Sequence, residues 1–477
     1  MTLSSPLAPR PPSPSRAPIH GLAPELLLAI IDDLPLSSIL SFALTSRRAY
    51  DLCVVPLNRH VVITQSNVPL FRARLQKGDW RNALVREVSL GRTDRQTIDR
   101  DPWDASTVAD VVAAFPNLRS LKTKAFVQVF GRKGLNCIGE TVGRLDALQA
   151  RIKYPEEEGR PSAPSPKYIF ANLRCLDLQF AVSEDTRGFE QMSPNLSHFF
   201  PNLVQLCLRC HRELQFDEYR NYEPLFPMLQ QSFFPELKVC HLVSGNWTIH
   251  DEEMRIILDF MARHKETVED LALPRWVYRG TLVVLCPMKL RKLRTTHTLL
   301  WQLGRCLGTS TESLAELYVD GVASGRTDDL VFRFQSSTMF DEQPGWPFLN
   351  VKTLTLAPEY EMKSDMLTSI PYVCPNIDEL IVNTTSILGF VFSMSDCRFQ
   401  TLQLTQMWVE MLIHGKILKK GGTSTKVRWN RLQRITFHHL CISGKYEQTF
   451  TLGKEPGDPV QVIKKEESIL AGFGSYA

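Results

Sequence analysis

The sequence predicts an α/β protein, with a small helical module near the N-terminus and then a long array of parallel strands with helices between them. Three observations predict it. A leucine- and isoleucine-rich stretch, GLAPELLLAIIDDLPLSSILSFALTSRRAYDL, runs from Gly21 to Leu52. From Ala83 onward one frame recurs: an apolar residue, two others, an apolar residue, one other and usually a third apolar residue. Segments with helical apolar spacing separate its copies, which makes parallel strands the natural arrangement.

The chain opens on a Pro/Ser-rich stretch, 1–18, expected to be disordered. Its first acidic residue is Glu25, but Pro6, Pro9, Pro11, Pro12, Pro14 and Pro18 forbid the amphipathic helix of a transit signal. Beyond it, Pro24 suits the first position of a helix whose broad apolar face carries Leu26, Leu27, Ile30, Ile31 and Leu34. Pro35 ends that helix. Ser37 or Ser38 is expected to cap a second one carrying Ile39, Leu40, Phe42 and Leu44. SRRAYDL supplies a third, short helical turn with Tyr50 and Leu52 facing back. Three helices this short cannot bury so much leucine among themselves, so part of the apolar surface is expected to meet a partner or to cap the array.

The order and spacing of Leu22, Pro24-Glu25-Leu26-Leu27, Ile30-Ile31, Leu34-Pro35, Leu40, Leu44 and Ser46-Arg47 resemble an F-box, here over 19–60. Ala23 departs from the pattern, which usually has proline directly after the leucine. The resemblance implies docking on the Skp adaptor of SCF (Skp–cullin–F-box) ubiquitin ligases. It also implies that Leu22, Pro24, Leu26, Leu27, Ile30, Ile31, Leu34, Ile39, Leu40 and Leu44 form or support the adaptor surface.

The recurring frame spans 80–441. Its first apolar position falls at Val85, Leu118, Leu173, Leu203, Leu237, Val268, Leu290, Leu314, Val351, Ile377, Phe399 and Leu432, with gaps of 22 to 55 residues. The physics is that of a short strand with alternate side chains facing inward, and DEEMRIILDFMARH adds a helix with Met254, Ile257, Leu258 and Met261 on one face. STVADVVAAF does the same with Val108, Val111, Val112 and Phe115. The array resembles a loose leucine-rich-repeat solenoid. It lacks that family's Asn or Cys three positions after the third apolar residue in all twelve units, which predicts irregular turns. The longest gap holds YPEEEGRPSAPSPK, within 154–167, expected to be a flexible insertion; 442–477 fits no repeat and is left as a tail or cap. An F-box followed by such repeats resembles the F-box proteins of filamentous fungi. There the repeats select a protein substrate for ubiquitination and the chain performs no catalysis itself. The alternative is a leucine-rich-repeat binding scaffold that works without the cullin ligase.

Charge and composition agree with a protein partner. The net charge is +4, from 55 basic and 51 acidic residues, with no run suggesting nucleic acid. No apolar run reaches the ~18 residues of a membrane span. Eleven cysteines without a framework fit reduced thiols in the cytoplasm or nucleus. CLRCH, Cys207 to His211, matches a haem-attachment motif, yet strand parity sends Cys207 outward and Cys210 inward, so no cofactor or metal is expected. Ile463 to Glu466 (IKKE) fits a short SUMO-acceptor pattern of a kind that often arises by chance. The best substrate-contact positions are outward ones on the strands: Lys122, Lys124, Arg209, Lys292, Arg294, Glu316, Tyr318 and Asp320. Asp177, Gln205, His241, Glu379, Thr401, Gln403 and His438 share that parity. A mixed-charge face suits protein rather than DNA.

Overall fold

A computed structural model describes residues 22–64, 71, 80–91, 110–111, 113–126, 144–152, 170–181, 195–211, 225–243, 247–249, 251–273, 276–278, 288–296, 299, 312–322, 348–358, 374–385, 432–441, 444–451 and 461–468. The Pro/Ser stretch 1–18, the insertion 154–167, Val108 and Val112, and the sites at Thr401 and Gln403 lie outside these residues. The chain is α/β and divides into two units, Met1–Ala125 and Phe126–Ala477.

In the first unit, α1 (Pro24–Asp32), α2 (Leu36–Ala43) and α3 (Arg47–Arg59) pack around Ile31, Ile39, Ala43 and Cys53. Pro24 sits in the first turn of α1, where its missing N–H costs nothing. Ser37 and Ser38 do not cap α2. Pro35 stands just before the helix, and its carbonyl accepts from the Ser38 and Ile39 N–H groups, so both serines lie inside the first turn. The third element is a 13-residue helix, not a short turn, and Ser46 caps it by accepting from the Ala49 N–H at 3.1 Å. Leu52 packs against the core, but Tyr50 is exposed rather than facing back.

Without a linker, α3 runs into β1 (His60–Thr64), which pairs in parallel with β2 (Glu87–Gly91), itself parallel to β3 (Ser120–Phe126). β1 escaped the sequence frame because Asn58 occupies the position where the other units carry an apolar anchor.

The second unit is a run of parallel strands in chain order: β4 (Ala147–Ile152), β5 (Cys175–Ala181), β6 (Gln205–His211) and β7 (Val239–Val243). A short pair, β8 (Trp247–Ile249) and β10 (Trp276–Tyr278), stands apart from the main sheet, which resumes at β9 (Asp270–Leu273) and β11 (Lys292–Thr296). β12 (Glu316–Val322), β13 (Thr353–Pro358), β14 (Glu379–Thr385) and β15 (Arg434–Cys441) follow. Helices α4 (Leu196–Phe199), α5 (Leu225–Gln231) and α6 (Asp251–Arg263) lie between strands. On α6 the buried face is Met254, Ile257, Phe260 and Met261, with Leu258 only half-buried.

Two features of the array differ from the sequence expectation. β4 is an extra unit: Leu145 and Leu148 are its buried positions, and it splits the longest gap nearly in half. It was hidden because Ala150 replaces the third large apolar residue. The frame at Phe399 lies outside the described residues. After β15 the sheet turns antiparallel through β16 (Gly444–Thr451) and β17 (Gln461–Ser468), so part of 442–477 extends the sheet. Lys464, Lys465, Glu466 and Glu467 lie on β17, the last strand in the order, where charge opposes edge-to-edge pairing. The IKKE tetrapeptide therefore lies on a strand.

All the sequence anchors within the described residues are buried, with Leu173, Leu203, Leu237 and Val351 at 0% exposure. Burying a side chain of this kind contributes about 1.5–3 kcal/mol. The turns before the strands are more regular than the missing asparagine position implied, because a different asparagine does the work. In the turns that begin at Phe115, Phe234 and Phe348 the phenylalanine carbonyl accepts from the N–H three residues on, and Pro116 and Pro235 suit the second turn position. The side chains of Asn117, Asn202, Asn350 and Asn376 then donate to the carbonyls of Ala83, Ala171, Glu312 and Leu349 in the preceding unit, at 2.8 to 3.0 Å. Backbone adds a second tie: the Arg174 carbonyl, for example, accepts from both Val204 and Gln205 of the next unit.

Two polar devices sit behind this sheet. Arg263, at the end of α6, donates to the Gln230 and Leu229 carbonyls and so caps α5. His264, 1% exposed, is held between the Phe260 carbonyl, 2.7 Å from Nδ1, and the Phe234 N–H, which donates to Nε2 at 2.9 Å. Only the tautomer with its proton on Nδ1 satisfies both.

Thr295 is the weak point of the core. It occupies the third inward position of its unit, after Leu290 and Leu293, is fully buried, and its hydroxyl has no hydrogen-bond partner among the described residues. Thr295→Val keeps the shape and removes an unsatisfied group. It is expected to stabilise the protein by about 1 kcal/mol, read as a higher urea midpoint at unchanged slope.

Candidate interaction surfaces

The helical module buries one set of apolar residues and exposes another. Leu27, Ile31 and Ile39 are at most 6% exposed; Ile31 and Ile39 belong to its core, with Leu34 packed against it and Leu22 half-buried. Of the sequence-predicted adaptor residues, these support a surface rather than form one. Pro24, Leu26, Ile30, Leu40 and Leu44 are exposed, Leu44 by 88%. Leu28, Leu36, Tyr50 and Val55, which sequence reasoning did not place there, are exposed too. Among the described residues, eight of the twelve exposed large apolar side chains thus fall within Leu26–Val55. Scattered apolar residues are ordinary on a surface; a concentration on one small module is not. The signal was available in the sequence, since helices of 8 and 9 residues cannot turn leucines spaced all around them toward a single core.

The outward face of the strands behaves differently: its charges pair with one another across neighbouring strands. In the first unit Lys122 pairs with Glu87, and His60 Nε2 lies 2.8 Å from Ser89 Oγ. The Lys124 side chain lies outside the described residues. In the second unit Arg209 donates in bidentate fashion to Asp177, both contacts at 2.9 Å, and Gln149 donates to the same carboxylate. His241 lies 3.2 Å from Asp270. Lys292 meets Glu316 at 2.8 Å, Arg294 meets Asp320 at 3.3 Å, and Arg434 meets Glu379 at 2.7 Å. Arg294 also stacks over the Tyr318 ring, 4.2 Å from its centroid, while the Tyr318 hydroxyl accepts from Asn383 two strands away. The alternation of basic and acidic units in the sequence is therefore a set of ion pairs. Exposed pairs of this kind contribute little stability, about 0–1 kcal/mol each. Their main effect is to leave the face nearly neutral.

Two groupings look chemical. Cys207, His241 and Asp270 lie on successive sheet strands with Cys207 opposite His241. Yet Cys207, though outward by parity, is 2% exposed, and burial first, then the Asp177 carboxylate, pushes its thiol up to about 12. It stays protonated at neutral pH and is no nucleophile. In the first unit Ser89 and Glu87 both approach the same nitrogen of His60, so the carboxylate does not orient the ring from its other side as a catalytic triad requires. The side chains of Cys210 and His211, the other half of the CLRCH motif, lie outside the described residues, as does that of His438. Among the described residues no group of three His, Cys, Asp or Glu side chains is placed to hold a metal ion. None of the helices among them is long and apolar enough to cross a membrane.

No known family model and no curated protein matches this sequence.

Proposed function

We propose that the chain is a substrate receptor of an SCF-type ubiquitin ligase, with the α1–α3 module docking on the Skp adaptor and the outward strand face holding a protein substrate. The observation that carries this reading is the double character of the module. It has a closed core of Ile31, Ile39, Ala43 and Cys53, with Leu27 buried as well, and, at the same time, a concentration of exposed leucine, isoleucine and valine. A module whose only task was to cap an array would turn those residues inward.

The self-neutralised strand face fits a protein better than a polyanion. The chain supplies binding and no catalytic step. Co-expression of the full chain with the Skp adaptor is expected to yield a stoichiometric complex on size exclusion, and addition of the cullin a ternary one. A folded chain that elutes alone would sink the proposal. An adaptor complex that refuses the cullin would turn it into a scaffold.

A further inference from the structure

The register of the strands places the outward residues of the second unit in rows, and one stretch of the middle row is unlike the rest. Tyr318, Thr355, Ile381 and Thr436 stand directly opposite one another across four adjacent strands, β12 to β15. None carries a charge. Tyr318, Thr355 and Ile381 are each half-buried, so an isoleucine and an aromatic ring remain partly open to solvent on a sheet face. Thr436 is buried, its hydroxyl 3.2 Å from that of Thr449 on β16, and it closes the strip at one end. At the other end Arg294 lies on the tyrosine ring. Toward the strand starts the strip is flanked by the pairs Lys292–Glu316 and Glu379–Arg434.

This is the anatomy of a small protein-binding site: an uncharged strip within a polar rim, with Thr355 and Ile381 at the middle and the Tyr318 ring, under Arg294, at one end. Charge decides what fits. Arg209, Lys292, Arg294 and Arg434 each already face a carboxylate, so a phosphate brought to any of them would meet that carboxylate as well. An uncharged side chain laid over Ile381 and Thr355 meets no such opposition and gains burial. We propose that Tyr318, Thr355 and Ile381 anchor an extended polypeptide segment through an aliphatic or aromatic side chain, with no need for phosphorylation. The inference rests on reading the strand face as the substrate side.

The test uses the full chain and two displayed peptide libraries, one of random unmodified peptides and one with a fixed phosphoserine or phosphothreonine. The unmodified library is expected to yield binders sharing an aliphatic or aromatic residue. Affinity of the best such peptide is expected to fall at least about 30-fold with Ile381→Asp, fall similarly with Thr355→Arg, and change less than about threefold with Lys292→Ala. Thermal melts of the variants separate loss of the strip from loss of fold. Thr355→Arg guards against an Ile381→Asp chain that does not fold, since arginine at a half-buried strand position adds bulk without emptying the core. Binders that require a phosphate, binding indifferent to both strip substitutions, or no binder from the unmodified library would each overturn the assignment. Adaptor capture, measured on the same variants, is expected to be unchanged. Its failure in the wild type would count against the role of the helical module and not against this strip.

Discussion

A chain carrying Ile30→Asp and Leu40→Asp is expected to keep its cooperative unfolding transition, within about 1 kcal/mol, and to lose the Skp adaptor by at least about 100-fold. Both residues are exposed, by 45% and 49%, so a carboxylate there stays hydrated in the free protein. The stability cost is limited to the poorer helix propensity of aspartate. In a complex that covers the module, the same carboxylates lose their water without gaining a partner, which costs several kcal/mol. Leu27→Asp with Ile31→Asp gives the contrasting result. Those side chains are 3% and 1% exposed, so the charges enter the core and the three helices come apart. Capture is lost there too, but together with the helical transition. Comparison of the two pairs by melting and pull-down separates an interface from a core. Equal adaptor binding by wild type and the Ile30/Leu40 variant would remove the exposed leucines from the interface.

His264 is expected to give the largest stability effect in the second unit. His264→Ala leaves the Phe234 N–H unsatisfied, uncaps the Phe260 carbonyl at the end of α6, and opens a gap beside Phe233 and Phe260. Together these cost about 3–5 kcal/mol in a urea titration. The same residue predicts a pH dependence. Burial, assisted by the nearby Arg263 cation, holds the imidazole below its ordinary value near 6.5; the Phe260 carbonyl opposes this only in part. The unfolded chain therefore takes up a proton that the folded one refuses. The stability associated with neutral His264 is complete above pH 6.5 and lost as pH falls toward the folded value, by at most about 1.4 kcal/mol per pH unit. His264→Phe should flatten that part of the profile. A wild type as stable at pH 5.5 as at pH 7.5 would refute the linkage.

Much of the array was legible because its frame is local. An apolar residue every second position in a short segment specifies a strand and its inward face, whatever its neighbours do. The anchors from Val85 to Leu432 were legible on that ground, with Phe399 beyond the described residues. Units whose apolar pattern is weakened, β1 with Asn58 and β4 with Ala150, were not, since only pairing with adjacent strands reveals them. The asparagines of the turns before the strands, Asn117, Asn202, Asn350 and Asn376, were visible but mute; their partners are carbonyls 27 to 38 residues away in sequence.

The sequence by itself determined the class of the fold, the parallel strands that carry the full apolar frame with their inward sets, and the excess of leucine in the first helices. All of these follow from periodicity and from how little surface a short helix can bury. Only the tertiary structure decided which leucines close the module and which remain outside, because Leu26 and Leu27 are neighbours in sequence and differ solely in their angle around α1. It alone decided, too, that the charges of the strand face answer one another across the sheet. Ion pairing depends on strand register, and register is set by the packing of the whole array.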